Sequence, residues 1–293
     1  MGLSSVTSVA LSGMQAATTM LEVAANNLAN SQTPGFKASR VQFATQPFPT
    51  LAPGFGPSVA RGGRNPAQIG LGVAVAAIEV DPSQGSIEQN QPLPLLALDG
   101  EGLFILEGSA GDHWYTRARQ FHLNAAGELT TPEGYRVLGY ALNERGEIDS
   151  SHLAPLTIHL RQQVPTASGG VAQLQGYTFD SDGRVLGRYS DGVERTLGQI
   201  RIARFPNGQG LYQRASNLYA ATPAAGVPLE TNPGVAGAGS IHTAVLERSN
   251  VDVGRELINL ALARTQFRAN WLVAVTGQSF WDELLLLSKR NDR

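Results

Sequence analysis

The chain is 293 residues long, with 24 acidic against 22 basic side chains and a net charge of -2. That length can bury a sizeable core as one large domain or two smaller ones, and the near-neutral balance gives no basis for binding nucleic acid or an anionic membrane. Cysteine is absent, which excludes disulfides, thiolate catalysis and cysteine-held metals, and charged residues are only 16% while Gly (33) and Pro (16) are abundant, which favours a turn-rich β middle.

The first element is a helix expected over residues 4–31, roughly 40 Å long at 1.5 Å rise. A 3-4-3-4 spacing picks out Leu3, Thr7, Ala10, Met14, Ala17, Leu21, Ala24 and Leu28 as one narrow apolar seam. Ser, Thr and Asn are mediocre helix formers and Gly13 costs about 1 kcal/mol relative to Ala, so this helix is expected to need a partner. Thr33-Pro34-Gly35 stops it. No basic segment or unbroken apolar run opens the chain, so no cleaved secretory signal is expected. The longest apolar run, residues 284–287, is too short to span a bilayer.

Residues 44–68 are rich in Pro and Gly and read as an extended strap. From 69 to about 165 short strands are expected, punctuated by turns at Asp99-Gly100, Ala126-Gly127, Glu133-Gly134 and Arg145-Gly146. A second β run covers 172–221, with Ser181-Asp182-Gly183 and Ser190-Asp191-Gly192 as turns, and residues 222–240 form a second strap. A last helix is expected from near Ser249 or Asn250, either a plausible cap, to about Leu287. Its seam runs through Val253, Leu257, Leu260, Arg264, Phe267, Trp271, Ala274, Gln278, Trp281 and Leu285. The N-terminal seam is small and the C-terminal seam large, which suits packing of one into the other. The fold class is therefore α+β: terminal helices (1–43 and 241–293) pairing as a coiled-coil-like domain, two straps, and an all-β middle (69–221).

The residues nominate no catalytic chemistry. The histidines are scattered and show no metal-ligand spacing, so no metal or cofactor is expected. Asp180, Asp182 and Asp191 resemble a calcium loop superficially, but Arg184 occupies a ligand position and the glycine comes early; hairpin turns explain them better. Trp114, Tyr115, Phe121, Tyr135 and Tyr140 could line a sugar or peptide strip, with core packing the stronger reading. A secreted β-domain binding or glycan-degrading protein is the alternative from another class.

ANNLANSQTPGFK at 25–37, with Asn26, Asn27, Asn30, Gly35, Phe36 and Lys37, resembles the signature of flagellar rod and hook proteins. Further stretches resemble the family in order: 70–85 ending in Gln84-Gly85, 97–106, 115–140, 196–222, and LERSNVD at 246–252 with Ser249, Asn250, Val251 and Asp252. Leu103, Arg119 and Asn124 depart from it, standing where Phe, Gly and Asp are usual. The resemblance implies a structural subunit that stacks helically into a tube, transmits torque and encloses an export channel. Length favours the distal rod kind over a short hook or proximal rod kind. It implies as partners further copies of the chain, neighbouring rod and hook proteins and the flagellar export apparatus, with no nucleic acid and no small-molecule substrate. It places the chain in the flagellar basal body or hook, exported without a cleaved signal. The seam residues would then form the subunit contacts.

Overall fold

The computed structural model describes residues 4–58, 61–89, 95–143, 147–160, 163–165, 170–214, 217–235 and 237–291. Leu3 and the Arg145-Gly146 turn lie outside the described residues, as does the side chain of Arg119. The class is α+β, with two long helices at the ends of the chain and a large β-rich middle. The chain divides into two compact units, one of residues 1–31, 38–81 and 251–293, the other of residues 32–37 and 82–250. Among the described residues no helix is long and apolar enough to cross a membrane.

In the first unit, helix α1 spans Ser4–Ala29 and helix α2 spans Val253–Asn291. Asp252 caps α2, its Oδ1 accepting the Arg255 amide at 3.1 Å, so the cap lies beyond Ser249 and Asn250 where the sequence reading put it. The expected strap at 44–68 is the outer part of one long hairpin. Ser39–Thr45 pairs antiparallel with Val73–Val80, Thr50–Ala52 with Ala67–Gln68, and single bridges join Phe55 to Arg64 and Ser58 to Arg61. Proline lacks an amide donor, so the ladder survives only in short pieces between prolines, and no strand period shows there. Val73–Val80, expected in the β middle, thus belongs with the helices. α1 lies against this hairpin, where Ser12 Oγ accepts the Val73 amide at 3.3 Å.

The second unit is antiparallel β structure. Its long sheet runs in the order Gln163–Pro165, Val171–Phe179, Arg184–Tyr189, Glu194–Ile200, Arg136–Ala141, Leu103–Glu107, His113–Thr116, Leu218–Ala220, Tyr212–Arg214. A three-stranded sheet joins Ser240–Thr243, Leu95–Asp99 and Ala118–Gln120. The strand period of two decides the core. On Leu103–Glu107, Phe104 and Leu106 face the larger core with Leu96, Leu98, Phe121, Val137, Ile200 and Ile241. Ile105 faces a smaller one with Tyr115, Leu138, Ala203 and Tyr219. Trp114, Tyr115 and Phe121 are therefore core residues, not a ligand strip. The expected turns form: the Gly183 amide bonds Asp180 O at 2.9 Å and the Gly192 amide bonds Tyr189 O at 3.0 Å. The second strap is not loose, since Leu229–Thr231 pairs with Ile202–Arg204 and Ala225 is wholly buried.

Burial raises the phenol pKa of Tyr115, Tyr177 and Tyr189, and pushes Tyr219 up to about 12. A raised phenol pKa means that the unfolded chain releases its proton first as pH rises. The stabilisation is fully present below about pH 10 and is lost as pH climbs through 12, on the order of 2–3 kcal/mol from Tyr219 alone. Denaturant unfolding across this range should show stability of the β unit falling from about pH 10, less steeply in Tyr219→Phe; equal slopes for both chains would contradict it.

Candidate functional site

Two described features are candidates for a functional role: the faces of the helix pair, and a buried polar junction in the β unit. The faces differ from expectation by one residue. On α1 the inward stripe is Ala10, Gly13, Ala17, Met20, Ala24 and Asn27, of which Gly13 and Met20 are half-buried and the others buried, a 3-4 spacing that shares Ala10, Ala17 and Ala24 with the predicted seam. Met14 and Leu28 are only half-buried and Leu21 is exposed. On α2 the corresponding stripe is Glu256, Leu260, Ala263, Asn270, Ala274 and Gly277. Val253, Leu257, Phe267, Trp271, Trp281 and Leu285 are exposed, Leu257 by 53% and Trp271 by 54%. The helices of one chain thus meet mainly through small and polar residues, with Met20 and Leu260 the larger members of the stripes; Leu260 and Ala274 are shared with the expected seam, and its other large apolar side chains on α2 are exposed.

Close approach is the physical reason. A Cβ at Gly13 would stand 2.5 Å from Asn270 Oδ1, and one at Gly277 3.3 Å from Val6 Cγ1. At these two positions the helices leave no room for a larger side chain. An open groove of about 580 Å³ beside the contact is lined by residues of both helices, among them Leu21, Leu260, Arg264, Phe267 and Arg268.

The family-motif residues fall into both units. In the first, Asn27 is buried; its Oδ1 accepts the Ser39 amide at 2.9 Å and its Nδ2 donates to Ser39 O at 2.8 Å and to Glu256 Oε1 at 3.2 Å. Asn259 Nδ2 donates to Glu256 Oε2 at 3.2 Å. Asn30 Nδ2 bonds back to Asn26 O at 2.9 Å and satisfies a carbonyl of the last turn of α1. Val251 is half-buried beside the capping Asp252.

In the second unit, Gly35, Phe36 and Lys37 meet Glu247 and Asn250. Gly35 takes a left-handed φ of 66° and donates its amide to Glu247 O at 2.8 Å. The Glu247 carboxylate is 0% exposed. Oε1 accepts Lys37 Nζ at 2.5 Å and the Gly85 amide at 3.1 Å, and Oε2 accepts Arg117 Nε at 3.0 Å. Lys37 Nζ also donates to Ser83 O at 2.7 Å, and Arg117 donates to Gly100 O and Gly102 O. Asn250 Nδ2 bonds Ser83 O and Oγ, each at 3.0 Å, and its amide reaches Phe36 O. A Cβ at Gly85 would lie 1.9 Å from Arg248 O, so only glycine lets the chain pass there. Beside it, burial raises the Tyr219 pKa, with Arg117 opposing and Glu247 adding to the rise.

Glu256 was not singled out from sequence, and Glu247, Arg117 and Gly85 fall inside the family-like stretches without the sequence assigning them a joint role. Glu247 and Lys37 are 210 positions apart, and no local spacing joins them. The available signal was a lone carboxylate in the apolar strand TAVLE. Asn124, one of the departures, holds a turn as an Asp does: Oδ1 accepts the Ala126 and Glu128 amides, both at 2.9 Å. Its Nδ2 adds a bond to Glu128 at 2.8 Å. Leu103 packs at the edge of the smaller core. Among the described residues no group of three or more His, Asp or Glu could hold a metal ion.

Comparison with known proteins places this geometry. Residues 8–37 match the family described as flagella basal body rod protein, and residues 97–187 match the flagellar hook protein FlgE/F/G D1 domain. One description is of a rod protein and the other of a hook-protein domain. The flagellar basal-body rod protein FlgG of Bacillus subtilis is 34% identical over 280 residues, covering 95% of this chain and 97% of its own. That of Agrobacterium fabrum is 32% identical over 286 residues, covering 97% of each. This chain belongs to the flagellar basal-body rod protein FlgG family. It is also 24% identical to the flagellar hook protein FlgE of Salmonella typhimurium, in an alignment of 399 positions that exceeds its own 293 residues.

Removing one partner from a buried ion pair strands the others. Glu247→Ala should therefore destabilise the β unit by about 3–5 kcal/mol. Glu88→Ala, which breaks the exposed Arg248–Glu88 pair, should cost at most about 1 kcal/mol. Denaturant unfolding of both full-length variants checks the contrast, and similar losses would remove the junction's special role.

Proposed function

We infer that this chain is a structural subunit of the bacterial flagellar axial tube, of the distal rod type, and not an enzyme. The observation that carries this is similarity to basal-body rod proteins along nearly the whole length of both chains. A hook-type subunit is disfavoured, because alignment with a hook protein needs insertions that this chain lacks. The chain stacks helically with its own copies and with neighbouring rod and hook proteins, after passage through the flagellar export apparatus. It lies in the part of the basal body between motor and hook, where the stack transmits torque and encloses an export channel.

The exposed apolar face of α2 supports assembly through the helical domain. Leu257, Phe267, Trp271, Trp281 and Leu285 lie on a 39-residue helix with open surface. Burying each would contribute roughly 1.5–3 kcal/mol, enough in sum to offset the ordering of long terminal segments. Non-closing contacts between such faces give a filament rather than a ring. On this reading Leu21, Met14 and Leu28 of α1 join the same intersubunit surface, and coiled-coil-like pairing is completed between subunits. The β-rich middle is carried by this discontinuous helical domain and is not the polymerising element.

Leu257→Asp or Leu21→Asp places a charge at such a contact, and the loss repeats at every subunit. Electron microscopy of basal bodies and motility assays should show rods absent in these strains. Asp191→Ala, in a hairpin turn of the β unit, should leave rods and motility normal. Normal rods from Leu257→Asp would overturn the assignment of the helical faces.

A further inference from the structure

The contacts between α1 and α2 are not evenly tolerant of sliding. Val6 meets Gly277, Gly13 meets Asn270, and Asn27 meets Glu256. From Val6 to Gly13, and from Gly277 back to Asn270, the step is seven residues; from Gly13 to Asn27, and from Asn270 back to Glu256, it is fourteen. The helices therefore run antiparallel with a seven-residue repeat. Such a repeat offers the chain competing alignments one heptad away in either direction. The intervening stripe residues, such as Ala10, Ala17, Ala24 and Ala263, are small and would accept any of these alignments. Shape discriminates at few places along the contact, chiefly where Asn270 lies over Gly13 and at the larger Met20 and Leu260.

We propose that Asn27 and Glu256 are the register key of the helix pair: positioning residues that select one alignment of α2 on α1 from the heptad-shifted alternatives. Both are buried, and Glu256 has its two oxygens on the amides of Asn27 and Asn259. Asn27 is itself fixed by a two-point pairing with the Ser39 backbone. A slip of one heptad brings Met20 or residue 34 to Glu256 and takes Asn27 away from it. A buried carboxylate then loses a donor, which is the penalty that lets a single polar position specify register. Asn270 over Gly13 acts in the same sense, since its amide occupies the space where a side chain would start. Register matters to any assembly built on the outer faces, because it sets how far α2 projects beyond α1. This inference rests on packing within one chain, so its failure would leave the rod reading untouched.

The absence of cysteine makes the register directly measurable. A Cβ at Gly277 lies 3.8 Å from Val6 Cβ, within the span of a disulfide. Three double variants of the full chain are oxidised and the links mapped by mass spectrometry: V6C/G277C for the observed register, V6C/N270C and V6C/L284C for slips of one heptad either way. In the parent background the V6C/G277C link should dominate and the other two should be lost. Adding Asn27→Leu and Glu256→Leu should bring the shifted links up to the level of the first. Asn27→Asp, of nearly the same size, should weaken the V6C/G277C link by opposing like charges, and Glu256→Gln in that background should restore part of it. Near-ultraviolet dichroism of the β unit controls for unfolding. Shifted links as strong as V6C/G277C in the parent, no V6C/G277C link there, or that link still dominant after both leucine substitutions would each overturn the proposal.

Discussion

The Glu247 carboxylate, wholly removed from water, constrains more of this chain than any other group. Desolvating a carboxylate costs several kcal/mol unless donors and opposite charge replace the water. Here Lys37, Arg117 and the Gly85 amide supply them, each from a different part of the chain. The consequences spread outward. Arg117 is held with its other nitrogens on the Gly100 and Gly102 carbonyls, so the turn between two core strands is set by the same ion pair. Residue 85 must be glycine, because the backbone of Arg248 passes within a Cβ radius of it. The segments following α1 and preceding α2 in the chain are drawn together around one charge.

The helical unit uses a different economy. Its contact is made mostly of Ala, Gly and polar side chains, with Met20 and Leu260 the larger exceptions, and the helix backbones come close at Gly13 and Gly277. Association of this kind contributes modest stability, which suits helices whose Ser, Thr and Asn content gives them weak intrinsic propensity. The large side chains are left on the outside of α2. In an isolated soluble protein such a face is a liability; under the proposed function it would be the surface on which copies stack. The two choices are linked, since small residues inside leave the large ones for neighbours.

The hairpin of residues 39–80 shows how misleading composition can be. Prolines and glycines make it read as a strap, yet its arms are paired almost to the tip. Prolines fall where the ladder is interrupted, so the segment keeps an extended paired course without continuous hydrogen bonding.

The sequence by itself determined the element types: two terminal helices from their 3-4 spacing, short strands from turn-bounded apolar runs, and the turns at Gly183 and Gly192. It also carried the family signature, because Gly35, Lys37, Asn250 and Asp252 stand at backbone geometries and charges that local motifs display. Tertiary structure alone decided which stripe of each helix is inward. The 3-4 period is a local property, but Leu21 and Ala17 lie on adjacent stripes of α1, and only the distance to α2 selects the smaller residue. Tertiary structure likewise decided that Val73–Val80 pairs with Ser39–Thr45, and that Glu247 meets Lys37. Such contacts join residues far apart in the chain, where no periodicity reaches and only the folded backbone sets which groups must neutralise one another.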